Sequence, residues 1–183
     1  WTEVKRGFTQ IGQFVGVYGV LQQIPQAFSQ MVTEVFRVDE AMTNLQMATG
    51  VSDNQAKELM NTYAQLGDQL KATSVDVAAS STEWLKQGQS IEDSLKLAEY
   101  STILSKIGNL SIEDATSTIT AAMKSYGLGI DNVMGFIDQI SAIDMASATD
   151  VGGLATAFNE VAANARNAGV EEEKVLAYAA AIG

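Results

Sequence analysis

From residue 52 onward, apolar positions recur at helical spacing in seven runs, each opened by a capping residue. Ser52 and Gln55 make a capping box ahead of Ala56, Leu59, Met60, Tyr63, Leu66 and Leu70. Thr73 or Ser74 opens the next run, which carries Val77, Ala78, Trp84 and Leu85 and ends at Gly88. Ser90 begins a third, with Ile91, Leu95, Ala98, Ile103, Leu104 and Ile107, closed by Gly108. Its apolar residues spread round much of the circumference, which predicts a helix near the centre of the fold. Ser111 opens a fourth, with Ile112, Ala115, Ile119, Ala122 and Tyr126, ended by Gly127 and Gly129. Asp131 is placed to cap a fifth, bearing Val133, Phe136, Ile137, Ile140 and Ile143. Thr149 or Asp150 starts a sixth, with Val151, Leu154, Phe158, Val161 and Ala165, which stops before Gly169. Glu171 to Ile182 forms the seventh. Period-two alternation of β-branched residues is missing throughout.

Residues 1–48 read differently. Val4, Phe8, Ile11, Val15 and Tyr18 keep helical spacing, and Phe28, Met31, Val32, Phe36 and Val38 resume it. Pro25 lies between these groups; it lacks a donor and clashes with the carbonyl four residues back, so a long helix with a kink there, or two helices, is expected. Gly7 to Thr33 carries no charge and is long enough to span a bilayer, which takes roughly 20 apolar residues. Six glutamines and the proline make it a poor spanning helix, so a transient membrane contact by 7–33 is the most it suggests. Gly12, Gly16 and Gly19 make a small-xxx-small pattern that supports either helix self-association or simple flexibility.

The predicted fold is therefore all-α: about seven short capped helices packed as antiparallel hairpins in a compact module over 49–183, preceded by the N-terminal helix of 1–48. Ser90-Ile-Glu-Asp93 recurs letter for letter as Ser111-Ile-Glu-Asp114, 21 residues on. That offset is shorter than helical-solenoid periods of roughly 33–47 residues, so no standard solenoid is indicated.

Composition narrows the chemistry. Twenty-two acids against eleven bases leave a formal charge of −11, which disfavours specific binding of nucleic acid. The sequence has no cysteine and no histidine, which removes disulfides, thiolate nucleophiles, the usual zinc ligands and the common general base. The acid groups Glu92/Asp93, Glu113/Asp114 and Glu171–Glu173 fall in first turns of helices, where the macrodipole stabilises them, and no calcium-loop spacing is present. No catalytic, cofactor or metal-binding residue is assigned, and the chain is not expected to be an enzyme. Trp84 and Met42, Met47, Met60, Met123, Met134 and Met145 are expected in the core. Trp1 stands where an initiator methionine would be, with no signal peptide behind it, so the chain is expected to be a piece of something longer.

One family combines these features in this order. Val38-Asp-Glu-Ala-Met-Thr-Asn-Leu45, Ala56-Lys-Glu-Leu-Met-Asn-Thr-Tyr-Ala-Gln-Leu-Gly67 and the Trp84-Leu-Lys-Gln-Gly-Gln-Ser-Ile-Glu-Asp93 junction carry the resemblance. So do Ile143-Asp-Met-Ala-Ser-Ala-Thr-Asp150, leading into Leu154-Ala-Thr-Ala-Phe-Asn-Glu-Val161, and the closing Ala165-Arg-Asn-Ala-Gly-Val-Glu-Glu-Glu-Lys174. From about residue 38 the chain resembles the core region of phage tail tape measure proteins. The resemblance implies a virion protein, made in the bacterial host cytoplasm, that occupies the tail lumen, sets tail length and leaves ahead of the DNA. It implies tail tube protein, tail tip or baseplate hub proteins and tail assembly chaperones as partners, and it supplies no catalytic residues. A continuous helix would span about 275 Å at 1.5 Å per residue, but caps and glycines every twenty residues imply a compact module within a longer ruler. An acidic surface would suit a lumen through which DNA slides. A membrane-active or pore-forming helical protein and a non-viral helical adaptor remain the alternatives.

Overall fold

The computed structural model describes residues 33, 35–146 and 149–182. The expected kink at Pro25, the uncharged stretch up to residue 32 and the Gly12/Gly16/Gly19 pattern lie outside the described residues. The chain separates into two compact units, Trp1–Glu40 and Ala41–Gly183, and the second holds the architecture that follows from residue 41 on.

All regular structure among the described residues is helical. Residues 35–49 form α1, followed by α2 (Asp53–Leu70), α3 (Ser74–Lys86), α4 (Ile91–Ile107) and α5 (Ile112–Tyr126). After a 3-10 turn (Ile130–Asn132) come α6 (Val133–Ala146), α7 (Val151–Asn167) and α8 (Glu172–Ile182). The seven runs predicted from residue 52 are thus α2 to α8.

Most of the caps are those the sequence proposes. Ser52 and Gln55 close a reciprocal capping box, and Thr73, rather than Ser74, does the same with Asp76. Asp150, rather than Thr149, accepts from the Gly153 amide at 2.8 Å. Ser90 and Ser111 each accept from the amide three residues on, that of Asp93 or Asp114. In these two copies the acid turns to its own serine: Asp93 and Asp114 accept from the cap hydroxyls at 2.8 and 2.6 Å. Asp131 does not cap α6. Gly129 leads into the 3-10 turn, and the Asp131 carboxylate pairs with Lys96 of α4 instead.

Helix ends share one construction. The backbone enters the left-handed region at Gly50, Lys71, Gly88, Asn109, Gly127 and Gly169; two residues after the first five stand the cap positions Ser52, Thr73, Ser90, Ser111 and Gly129. At Gly88, Gln89 N–H donates to the Trp84 carbonyl and Gly88 N–H to that of Leu85, the paired bonds of a Schellman turn. Gly108, expected to stop α4, keeps right-handed geometry, and Asn109 makes the left-handed turn in its place.

These links set the helices in two rows. Consecutive helices other than α5 and α6, which the 3-10 turn separates, fold back on one another across the rows, and α2, α4, α6 and α8 pack along one row while α3, α5 and α7 pack along the other. Extensive packing among the described residues reaches no further than the next-but-one helix. That is the near-neighbour packing of a helical stack. The 21-residue offset of the two Ser-Ile-Glu-Asp copies joins helices of opposite rows. Helices of the same row repeat at about 38 residues, Ser52 to Ser90 and Thr73 to Ser111, which falls inside the range of roughly 33–47 residues for two-helix solenoid units. The offset to set against solenoid periods is therefore the 38-residue one along a row, not the 21-residue one between rows.

The main apolar cluster joins Trp84, Leu97, Leu104, Ile119, Phe136, Ile140, Leu154, Phe158 and Leu176 with smaller residues between them. Helix α4 packs on α2, α3, α5 and α6, the central place its broad apolar surface predicts. Trp84 and Met60 are buried as expected, but Met47 and Met145 are 73% and 83% exposed. Both sit near helix ends, where neighbours no longer cover the apolar side.

Candidate functional site

Two sets of polar groups stand out: those at the helix starts and a buried seam between α2, α3, α4 and α5. At the helix starts the carboxylates are engaged locally. Besides the capping acids, Glu171 pairs with Lys174 at 2.9 Å, and the ammonium holds the Glu171 carboxyl below its ordinary range. Lys96 does the same for Asp131, tying α4 to the 3-10 turn. Glu172 behaves oppositely: partial burial raises its pKa, and the charge of Glu173 adds to the effect. Among the described residues no three Asp or Glu side chains gather where they could hold a metal ion. No helix among them is long and apolar enough to cross a membrane.

The seam is a set of small hydroxyl residues inside helices. Ser80, Ser81, Ser94, Ser101 and Thr116 are all buried; the buried Thr102 and Thr118 bond elsewhere, to the Ala98 carbonyl of α4 and to the Asp114 and Ala155 carbonyls. Tyr63 of α2 lies 2.9 Å from the Ser81 hydroxyl of α3; Ser81 donates to Ser94 of α4 at 3.2 Å, and Ser94 donates to the Ile91 carbonyl at 2.8 Å. Because each hydroxyl has one proton, this order requires Tyr63 to donate to Ser81. Burial raises the Tyr63 pKa, which keeps the phenol protonated for that bond. Trp84 Nε1 donates to Ser101 at 3.1 Å, and Ser80 meets Thr116 of α5 at 3.4 Å. Buried polar atoms that find partners in this way cost little and bring helix backbones close.

A second close approach joins α4 to α7. A Cβ on Gly152 would stand 2.4 Å from the Gly108 carbonyl oxygen, so the α7 N-terminus can lie there only without a side chain. A shallow groove beside it is lined by Ile107, Asn109, Thr156 and Glu160 among others. On the far side of α7, Phe158 packs against Phe136 and Tyr126 with ring centroids 4.9 and 5.9 Å apart, and the Arg166 guanidinium lies 5.8 Å from the Tyr126 ring centre. The Tyr126 pKa is raised by burial and then by the charge of Glu172, with Arg166 opposing.

The sequence reading assigned no site residues and did not single out the seam. The uncharged run Ala78-Ala-Ser-Ser-Thr82, inside a helix rather than at its cap, was the available signal; Gly152-Gly153 in the first turn of α7 was the other.

Two rows of capped helices, near-neighbour packing and polar groups absorbed into caps and seam define a helical stacking module. No solved structure matches the chain. The sequence model of the phage-related minor tail protein family matches residues 64–182, from within α2 to the end of α8. The chain belongs to that family and is a phage tail protein, a virion tail component that associates with other tail proteins.

Proposed function

We propose that the chain is a segment of a tail tape measure protein, which occupies the tail lumen during assembly, contributes to setting tail length and leaves ahead of the DNA. The near-neighbour stack carries this reading: when helices pack only on their neighbours, length grows in proportion to the number of units, which is the property a ruler requires. Charge supports it. Residues 41–183 carry eighteen acids and eight bases, so the unit offers little to bind a phosphate backbone moving past it. On this reading the segment acts through assembly rather than catalysis, and its partners are the tube protein, the hub or tip proteins and the assembly chaperones.

The test is an in-frame deletion of residues 41–183 from the parent gene, with tail lengths read by electron microscopy. As continuous helix the segment accounts for about 215 Å; as a compact body it accounts for about 35–40 Å. Shortening by either amount supports the proposal and says which form the tail contains. Infectious tails of unchanged length overturn it. If the deletion gives no tails, an in-frame duplication of residues 90–127, one two-helix unit, must lengthen them.

A further inference from the structure

The apolar core is not continuous along the stack. The cluster from Leu97 to Leu176 takes one side chain from α2 and α3 together, Trp84. The other buried apolar residues of those two helices, Ala56, Met60, Tyr63, Val77 and Ala78, lie outside it. The hydroxyl seam runs between the two groups. Its bonds from α3 to α4 lie within the most extensive pairing among the described helices, and on separation water replaces both partners of each bond, so the bonds themselves add little to that packing. The covalent link between the parts is Gln87-Gly88-Gln89. Gly88 has φ +89°, is exposed, and has open space around the position of a Cβ.

We infer that α2 and α3 leave the α4–α8 body together as one hinged hairpin, with the hydroxyl seam as the parting plane, Gly88 as the pivot and Trp84 as the latch. The hairpin keeps the packing of α2 on α3. The body keeps its cluster apart from the Trp84 ring. Three bonds outside the seam's centre break as well: Lys106 Nζ to the Lys71 carbonyl, and the two between Gln87 and Thr120. All three are exposed, so water re-satisfies them. Opening uncovers the side of α4 and α5 that carries Ser94, Ser101 and Thr116, beside Leu97. The inference rests on packing alone and stands whether or not the chain sets tail length.

Hydrogen exchange of the full chain, read by mass spectrometry helix by helix, tests it. Amides of α2 and α3 are expected to exchange together, at least about tenfold faster than the slowest amides of α5 to α7, because they open without global unfolding. Ile140→Val removes a methyl group from the body's cluster. It is expected to speed exchange in α5 to α7 about fivefold and to leave α2 and α3 unchanged, since that contact survives the opening. In the double variant Ser81→Cys/Ser94→Cys, in a chain with no cysteine of its own, oxidation is expected to bring protection of α2 and α3 up to that of the body, and reduction to reverse it. A common exchange rate that shifts in every helix with Ile140→Val overturns the inference. So does an oxidised pair that leaves α2 and α3 exchanging as before.

Discussion

Two glycine-to-alanine substitutions in helices of the same stack should move stability in opposite directions. At Gly135 of α6 an added Cβ meets nothing within 4 Å, so alanine brings only its better helix propensity. The gain should be about 0.5–1 kcal/mol. At Gly152 the same methyl would stand 2.4 Å from the Gly108 oxygen and 3.1 Å from Asp150 Oδ1. Carbon and oxygen need roughly 3.2–3.4 Å, so α7 must retreat by nearly 1 Å from the C-terminus of α4. The clashing atom is backbone, so no flexible side chain can yield instead. Overpacking of this kind costs about 1–3 kcal/mol, and loss of the Asp150 cap would add about 1 kcal/mol. Urea unfolding of the two variants beside the parent chain reads the difference, and the midpoints should fall on opposite sides of the parent's. A Gly152→Ala protein as stable as Gly135→Ala would refute the close approach of the α7 N-terminus to the C-terminal end of α4.

Ser90→Ala and Ser111→Ala should each cost about 1 kcal/mol and add in the double variant, because the caps sit on different helices; the glycine substitutions should cost only a few tenths. Thermal unfolding reads both. Glu172 has a folded-state pKa raised by burial, so the native state holds its proton more tightly than the unfolded chain does, and this group's contribution to stability is lost as pH rises through the raised value. Glu172→Gln should therefore stabilise the protein at neutral pH, with the gain vanishing below the ordinary carboxylate range; a gain independent of pH would exclude burial as the cause. Under mild peroxide, Met47 and Met145 should oxidise well before Met60, which is 7% exposed, as peptide mass spectrometry can follow.

Helix starts were legible in the sequence because capping is local: a serine, threonine or aspartate answers to amides two or three residues away, and Ser52, Thr73, Ser90, Ser111 and Asp150 all do so. Helix ends were legible only where glycine marks them. At Lys71 nothing in the identity of the left-handed residue announces the turn, and at Asn109, a residue that favours this region, the neighbouring Gly108 drew the expectation instead. Asp131 looked like a cap because it precedes an apolar run, yet the ion pair with Lys96, distant in sequence, places it otherwise. The seam stayed hidden for a related reason. Serine and threonine inside a helix can face solvent or bond their own carbonyls, and only the arrival of α4 and α5 makes Ser80, Ser81 and Trp84 partners of Thr116, Ser94 and Ser101.

The repeat shows why letters mislead where geometry does not. Ser-Ile-Glu-Asp recurs between neighbouring helices because a cap and an acidic first turn favour a helix start wherever it lies, not because of a place in the stack. What recurs along a row is a pair of helices and two left-handed turns, realised with serine or threonine at the cap and glycine, lysine or asparagine at the turn. Such a unit tolerates wide change in sequence as long as the αL residue keeps its distance of two from the next helix start. A stack built this way can gain or lose a pair of helices without disturbing units beyond the next neighbour. Length in such a stack is therefore set by the number of turns of this kind, and the duplication of residues 90–127, which begins at one cap and ends at the turn before another, adds one such unit.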